Sequence, residues 1–342
     1  MAISRSEITI DRHALRSNVR RLKEGLGRTQ LWAVVKANGY GHGAETVAAT
    51  ALAEGASALC VATIGEGMRL RQAFPDPRIL VLSPCSPSEY PLAREGRLDL
   101  VAADGPLPEG IPLHLKIDTG MGRWGVGVGE AIVSHRDVVG LMSHLASADI
   151  DPEFTELQIA RFATVASEYP ELICHIANSA ALLRFPSARF DAVRPGIALY
   201  GLSPFGTDPM EDGLRPVLSW RSRVVQVKQL APGESTGYQR RYIAADPTWI
   251  GIVPVGYADG FCRGLSGSEV LVGGMRRRVL GTISMDSFAV GLDRPVSVGT
   301  VVTLIGDGLL AEEHARLLNT ITHEIVCGLN PSPTRTRRAV LG

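Results

Sequence analysis

The sequence predicts an α/β fold, an N-terminal (β/α)8 barrel followed by a mostly β domain, and three features carry that expectation. Short, near-continuously apolar runs alternate with helical patterns through the first two-thirds of the chain. Beyond about residue 212 the texture changes to strand-like, Gly-interrupted segments. A length of 342 residues at 45% hydrophobic content is also enough to fill two cores.

The apolar runs are LWAVVKA (31–37), SALCVAT (57–63), RILVLS (78–83), LDLVAA (98–103), PLHLKID (112–118), VVGLMSH (138–144), LICHIAN (172–178) and FDAVRPG (190–196). They are short and apolar on both faces, as strands of a covered parallel sheet must be. Helical patterns such as AETVAATALAEGA and FTELQIARFATVASEYP separate them, so a closed barrel is expected, with an open doubly wound sheet as the alternative. SPFGTDPMEDGLRP (203–216), dense in Pro, Gly and Asp, reads as a linker. The expected domains are 1–212, the barrel, and 213–342. The second should hold strands within LSWRSRVVQVKQL, TWIGIVPVGYADG, EVLVGGMRRRVLGTISMDSFAVGL and VSVGTVVTLIG, and one helix, LAEEHARLLNT.

Composition narrows the function. Lys plus Arg and Asp plus Glu number 35 each, so no overall field favours nucleic acid or an anionic membrane. MRRR and RTRR are too short to form a binding stripe. No run reaches the roughly 18 apolar residues of a membrane span, and the opening MAISRSEITIDRHALRSN has no apolar core behind a basic start. A small-molecule substrate and a cytoplasmic location are expected. The five cysteines are widely spaced without a C-x-x-C pair, which reads as reduced, mostly buried thiols and no metal site.

In such a barrel chemistry gathers where strands end. The runs end at Lys36, Thr63, Ser83, Lys116 with Asp118, His144, Asn178 with Ser179, and Arg194. An amine at an apolar mouth loses hydration in its charged form, which frees its lone pair and suits Lys36 to Schiff-base chemistry. The following NGYGHG lets backbone approach a ligand closely, and Tyr40 brings a hydroxyl. It is not a P-loop, whose lysine follows its glycines. In VRPGIALYG (193–201), Arg194 closes a strand, and beyond Pro195 the N–H groups of Gly196 and Ile197 would face an anion such as phosphate. Ser179 would donate from the neighbouring strand end. A lysine, an arginine and a phosphate cradle around one mouth are the parts needed for pyridoxal phosphate.

AVVKANGYGHG, KIDTGMGRWG, SHLASAD, ANSA, VRPGIALYG, GYADG and GTISMDSF occur in this order, and in that order the sequence resembles the alanine racemase family. The resemblance implies a pyridoxal-phosphate-dependent racemase of L- and D-alanine, a homodimer with shared active sites that supplies D-alanine as a peptidoglycan precursor. Cofactor contacts would come from Lys36, Tyr40, Asn178, Ser179, Arg194, Gly196 and Ile197. Racemisation needs a base on each face of Cα. Lys36 serves one, and the resemblance assigns the other to Tyr238 in STGYQRRY, contributed by the partner subunit. It puts His144 beside Tyr238 and Arg194, stabilising the phenolate; the sequence alone also allows His144 to be a buried, satisfied imidazole.

The resemblance further gives the substrate carboxylate to Arg123 in GMGRWG and to the N–H of Met285 in SMD, with Tyr257 in VGYADG at the entrance. Lys116 matches a lysine that many family members carbamylate, the alternative being a salt bridge to Asp118 or another acid. Arg194 at the pyridine nitrogen would donate without releasing its proton, leaving the ring neutral and a weak electron sink, which disfavours transamination. His42, His114 and His175 receive no catalytic role. HEIVCGLNPSPTRTRR lacks the tyrosine usual near the family's C-terminus, Gln239 replaces a glycine, and His323 stands where tyrosine is common. A wider pocket that admits serine or larger amino acids is therefore a second enzyme reading. A non-catalytic pyridoxal-phosphate carrier is a reading of a different class.

Overall fold

The computed structural model describes residues 5–103, 107–130 and 136–342. The chain divides into two compact units, Leu15–Phe205 with Pro209–Arg215, and the segment up to Ala14 with Gly206–Asp208 and Pro216–Gly342.

The first unit is the expected barrel. Its strands are β1 (Gln30–Val34), β2 (Ala58–Val61), β3 (Arg78–Val81), β4 (Asp99–Ala102), β5 (Leu113–Asp118), β6 (Val138–Met142), β7 (Ile173–His175) and β8 (Ala192–Val193). Each pairs in parallel with the next, and β8 returns to pair with β1. Closure removes both sheet edges and covers both faces, so the strands are apolar throughout. Side chains alternate across each strand, which puts Trp32, His114 and His175 together inside the barrel, all fully buried. The Trp32 ring lies 5.6 Å from that of His114 and 4.6 Å from that of His175. On β6 the residue beside His114 is Gly140; a Cβ there would strike the His114 imidazole.

The second unit is a nine-stranded sheet in the order Gln226–Leu230, Thr248–Val253, Phe288–Leu292, Met275–Leu280, Glu269–Val272, Val301–Ile305, Leu218–Arg223, Ser6–Asp11, Thr336–Leu341. Ser6–Asp11 pairs antiparallel with Leu218–Arg223 and parallel with Thr336–Leu341. The N-terminal segment thus belongs with the β-rich unit, and the break falls at Pro216, not at 212. Beside the expected helix, Ala311–Leu317, stands a second, Thr322–Cys327. Phe261 stacks on Phe288 at 4.7 Å, and Leu230, Ala244, Ile250, Leu280 and Ala289 form a core cluster.

Among the described residues no helix is long and apolar enough to cross a membrane. Cys60 and Cys174 are buried and Cys85 half-buried, but Cys262 and Cys327 are exposed, so burial is less general than the sequence suggested.

Candidate active site

Lys36 follows directly on β1. The five residues after it, Ala37, Asn38, Gly39, Tyr40 and Gly41, have φ of 51°, 53°, 62°, 49° and 77°. A left-handed backbone costs roughly 1–2 kcal/mol at each residue that carries a Cβ, so this turn must be held from outside. Gly39 N–H donates to Val35 O at 2.8 Å, Gly43 N–H to Asn38 O at 2.8 Å, and Ala44 N–H to Asn38 Oδ1 at 3.1 Å. Glu66, in the first turn of the helix after β2, accepts from Ala37 N–H at 2.7 Å and from Ala62 N–H at 2.8 Å. It also closes a capping box with Thr63. Glu66→Ala should lower stability by about 2 kcal/mol, the size of hydrogen bonds to a charged group. Amide exchange at Ala37 should accelerate, and unfolding plus exchange measurements check both effects.

Tyr40 stacks on Tyr200 at 4.8 Å, and Tyr200 Oη donates to Val34 O at 2.8 Å. The Tyr40 hydroxyl packs so closely on Gly196 that a Cβ there would overlap it. Ser179 Oγ accepts from Gly196 N–H at 3.0 Å and Ala198 N–H at 3.2 Å. The Gly196 N–H is therefore satisfied within the chain rather than left free as the sequence suggested. Tyr40 and Ser179 thus meet at Gly196, and Ile197, next in the chain, is buried. Asn178 is the N-cap of helix Ser179–Arg184, its Oδ1 accepting from Ala181 N–H at 3.0 Å.

Arg194 is 4% exposed. One terminal nitrogen donates to His175 Nδ1 and, at 2.9 Å, to His175 O; the other donates to Ser143 O at 2.7 Å and to Ile176 O at 3.4 Å. Burial pushes its pKa down to about 10, so the guanidinium stays charged at neutral pH. His144, at the end of β6, is driven well below its ordinary pKa by burial and then by Arg194, Lys116, Arg123 and Lys36. It is therefore a neutral imidazole at neutral pH.

Lys116 is 1% exposed, and its Nζ has no hydrogen-bond partner among the described residues. Burial, with Arg194 and Arg123 nearby, lowers its pKa to about 8. Asp118 does not pair with it. One carboxylate oxygen of Asp118 accepts from the N–H groups of Gly120 at 2.9 Å, Met121 at 2.9 Å and Gly122 at 3.1 Å. Those bonds outweigh burial and hold the Asp118 pKa below its usual value. The Arg123 guanidinium lies over the Trp124 ring, 4.2 Å from its centre.

The second unit carries Tyr238, Tyr257 and Met285, which are 68%, 44% and 52% exposed. Loop 281–287 links them. Thr282 Oγ1 donates to Tyr238 O at 3.3 Å, Tyr257 N–H to Ser284 O at 3.1 Å, and Ala258 N–H to Met285 O at 3.1 Å. Gln239 has φ of 63° and Arg240 of 51°, a left-handed conformation in which glycine is unstrained. The segment lacking the tyrosine is anchored by Asn330, whose Nδ2 donates to Ala258 O at 2.8 Å, while Arg335 pairs with Asp259 at 2.7 Å. His323 lies on helix Thr322–Cys327.

His114 and His175, which the sequence left without a catalytic role, are strand residues whose side chains lie behind Arg194. The available signal was parity: His114 stands two residues before Lys116 on one strand, hence on the same inward face.

Comparison with known proteins agrees with this geometry. Residues 10–204 match the family model described as alanine racemase, N-terminal domain, and 217–337 that of the C-terminal domain. An alanine racemase of Geobacillus kaustophilus is 41% identical over 94% of this chain and 91% of its own length. One from Listeria monocytogenes serotype 4a is 38% identical over 94% and 95%. The crystal structure of alanine racemase from E. faecalis superposes with a TM-score of 0.91 at 35% identity, covering 100% of both chains.

Proposed function

Because this chain belongs to the alanine racemase family, we propose that it interconverts L- and D-alanine with pyridoxal phosphate, as a cytoplasmic homodimer with shared active sites, supplying D-alanine for peptidoglycan. One observation carries the reading. Lys116 and Arg194 are both buried, Lys116 without a hydrogen-bond partner among the described residues, while the Asp118 carboxylate is taken up by backbone amides. Such an excess of positive charge fits a phosphate-bearing cofactor together with a carboxylate-bearing substrate.

When bound, pyridoxal phosphate supplies an aldehyde that condenses with amines and a conjugated ring that draws charge from Cα. Lys36 would hold it at the aldehyde, Tyr40, Ser179, Gly196 and Ile197 at the phosphate, with Asn178 capping the Ser179 helix, and Arg194 at the ring nitrogen. The Lys36 amine takes or returns a proton on one face of Cα. Tyr238 of the partner subunit serves the other face. Its exposure, with that of Tyr257 and Met285 on the same loop system, suits residues that reach into a second copy. His144, being neutral, keeps one ring N–H that can donate to the Tyr238 oxygen and so favour its phenolate form. Arg123 and the Met285 N–H orient the carboxylate, with Trp124 fixing the Arg123 plane.

The orphaned Lys116 amine favours carbamylation. Its neutral form attacks carbon dioxide, a C–N bond forms, a proton is released, and the resulting anion faces Arg123. With the pKa at about 8, half of the amine is neutral at that pH, and the fraction falls below it. Labelling with 13C-bicarbonate should give a carbamate carbon signal by NMR that is absent in Lys116→Ala.

Incubating the protein with cofactor and L-alanine in heavy water tests the whole reading. The expected product is D-alanine carrying deuterium at Cα. A carrier would give no net racemisation. Serine outcompeting alanine would favour the broad-specificity alternative, to which the Asn330–Thr334 segment without its tyrosine points.

A further inference from the structure

We propose that Asp99 and Arg78, remote from the mouth, are positioning residues for Arg194, acting through His175 and His114 locked in one direction of hydrogen bonding. The inference rests on the reading of Arg194 as the cofactor's ring partner.

The chain of contacts is continuous. Arg194 meets His175 Nδ1. His175 Nε2 lies 2.9 Å from His114 Nδ1, and His114 Nε2 lies 3.2 Å from Asp99 Oδ2. The same Asp99 oxygen is 2.9 Å from Arg78 Nε. Direction follows from one fact: a guanidinium only donates. His175 Nδ1 must therefore accept, which leaves the proton of the neutral ring on Nε2. That proton is given to His114 Nδ1, so His114 also carries its proton on Nε2 and gives it to the Asp99 carboxylate. Reversing any single link would set two donors, or two acceptors, against each other inside a dry barrel.

The surroundings oppose any other protonation state. His114 and His175 are fully buried, and burial lowers both pKa values. The neighbouring Cys60 thiol, raised to about 12, is neutral. Trp32 packs on both imidazoles, and Arg78 lies 5.3 Å from its ring centre. Arg78 and Asp99 thus end the relay with a carboxylate already held in place.

Two consequences reach the mouth. Both terminal nitrogens of Arg194 are committed to the barrel interior, so Nε–H is the edge that remains to meet a ring nitrogen. Polarisation from Asp99 through two imidazoles also makes His175 a stronger acceptor, which draws guanidinium charge away from the mouth. The relay would keep Arg194 a weak donor in a fixed plane.

Side-chain 15N NMR of the purified protein, with its cofactor and after removing it, tests this without reference to turnover. His114 and His175 should each show one N–H, at Nε2, and a bare Nδ1. In Asp99→Asn the amide oxygen can still accept from His114 Nε2–H, so both Nε2–H tautomers should persist while the His114 Nε2–H proton resonance moves upfield with loss of the charge-assisted bond. The visible absorption of the reconstituted variant should shift, and kcat should fall about 10-fold, the scale of an outer partner of a functional group, with KM within about twofold. Arg78→Lys keeps a cation on Asp99 and should leave the His114 resonance near the parent's, whereas Arg78→Gln should displace it. An Nδ1–H or doubly protonated ring in the unmodified protein overturns the proposal. So does an Asp99→Asn protein with an unchanged His114 Nε2–H resonance and unchanged kcat. Should Asp99→Asn fail to fold, the unmodified tautomers and the Arg78 pair decide alone. Correct tautomers in a protein that does not racemise would instead fault the functional reading.

Discussion

Lys36→Ala is expected to reduce alanine racemisation by about ten-thousand-fold, at the upper end of what a positioned acid–base group contributes. The residue would both capture the aldehyde and move the Cα proton on one face, and alanine can do neither. The fold should survive, because Lys36 lies beyond the last residue of β1 and the left-handed turn after it is held by Glu66 and Asn38. Thermal unfolding of the variant should therefore stay close to that of the parent. Borohydride reduction of the yellow parent protein should label the peptide that contains residue 36, and the variant should remain unlabelled there. Small primary amines added to the variant should recover part of the exchange at Cα, since they replace the missing base without the tether. Label on another lysine in the parent would remove the basis for the proposed chemistry.

Arg194→Glu should have the second largest effect, and it acts on stability and chemistry together. Arg194 donates to three carbonyls and one imidazole nitrogen while almost fully buried. A glutamate offers only acceptors to these acceptors unless it takes up a proton. The loss in stability should be about 3–5 kcal/mol, the range for breaking a buried charged contact. Racemisation should fall by about a thousand-fold, comparable to removing an electrostatic stabiliser from a reacting centre. A carboxylic acid facing the ring nitrogen can also hand it a proton, which arginine cannot. Slow formation of keto acid from alanine should then become measurable. Its complete absence in a folded, cofactor-loaded variant would count against Arg194 as the ring partner. Arg194→Lys separates the two effects, since it keeps the charge but loses the planar fork.

The barrel was legible because closure buries each strand on both faces, and every one of the eight apolar runs contains a strand. Its candidate functional residues were legible for a related reason. Lys36, Lys116, His144 and Arg194 are polar groups at the ends of runs that tolerate few polar groups, so each stands out. Ser6–Asp11 and Thr336–Leu341 did not stand out as neighbours, because they lie at opposite ends of the sequence and their parallel pairing leaves no local signal. Glu66 looks like an ordinary capping residue in the sequence, and only the folded chain brings Ala37 N–H to it. His114 and His175 each have strand-like neighbours, and their partnership crosses from β5 to β7. The left-handed conformation of Ala37, Asn38 and Tyr40 has no compositional signal beyond the glycines around them, since it is imposed by outside hydrogen bonds against intrinsic preference.

The pairing of Ser6–Asp11 with Thr336–Leu341 bears on how the protein is made. Ser6 Oγ and Thr336 Oγ1 meet at 3.0 Å across 330 residues of sequence. At ribosomal speeds of roughly 5–20 residues per second, the first strand emerges on the order of tens of seconds before its parallel partner exists. During that interval it is an open edge, the kind that recruits other nascent chains. Alternation of Glu7 and Asp11 with Ile8 and Ile10 puts charge on one side of that waiting strand, which discourages premature pairing.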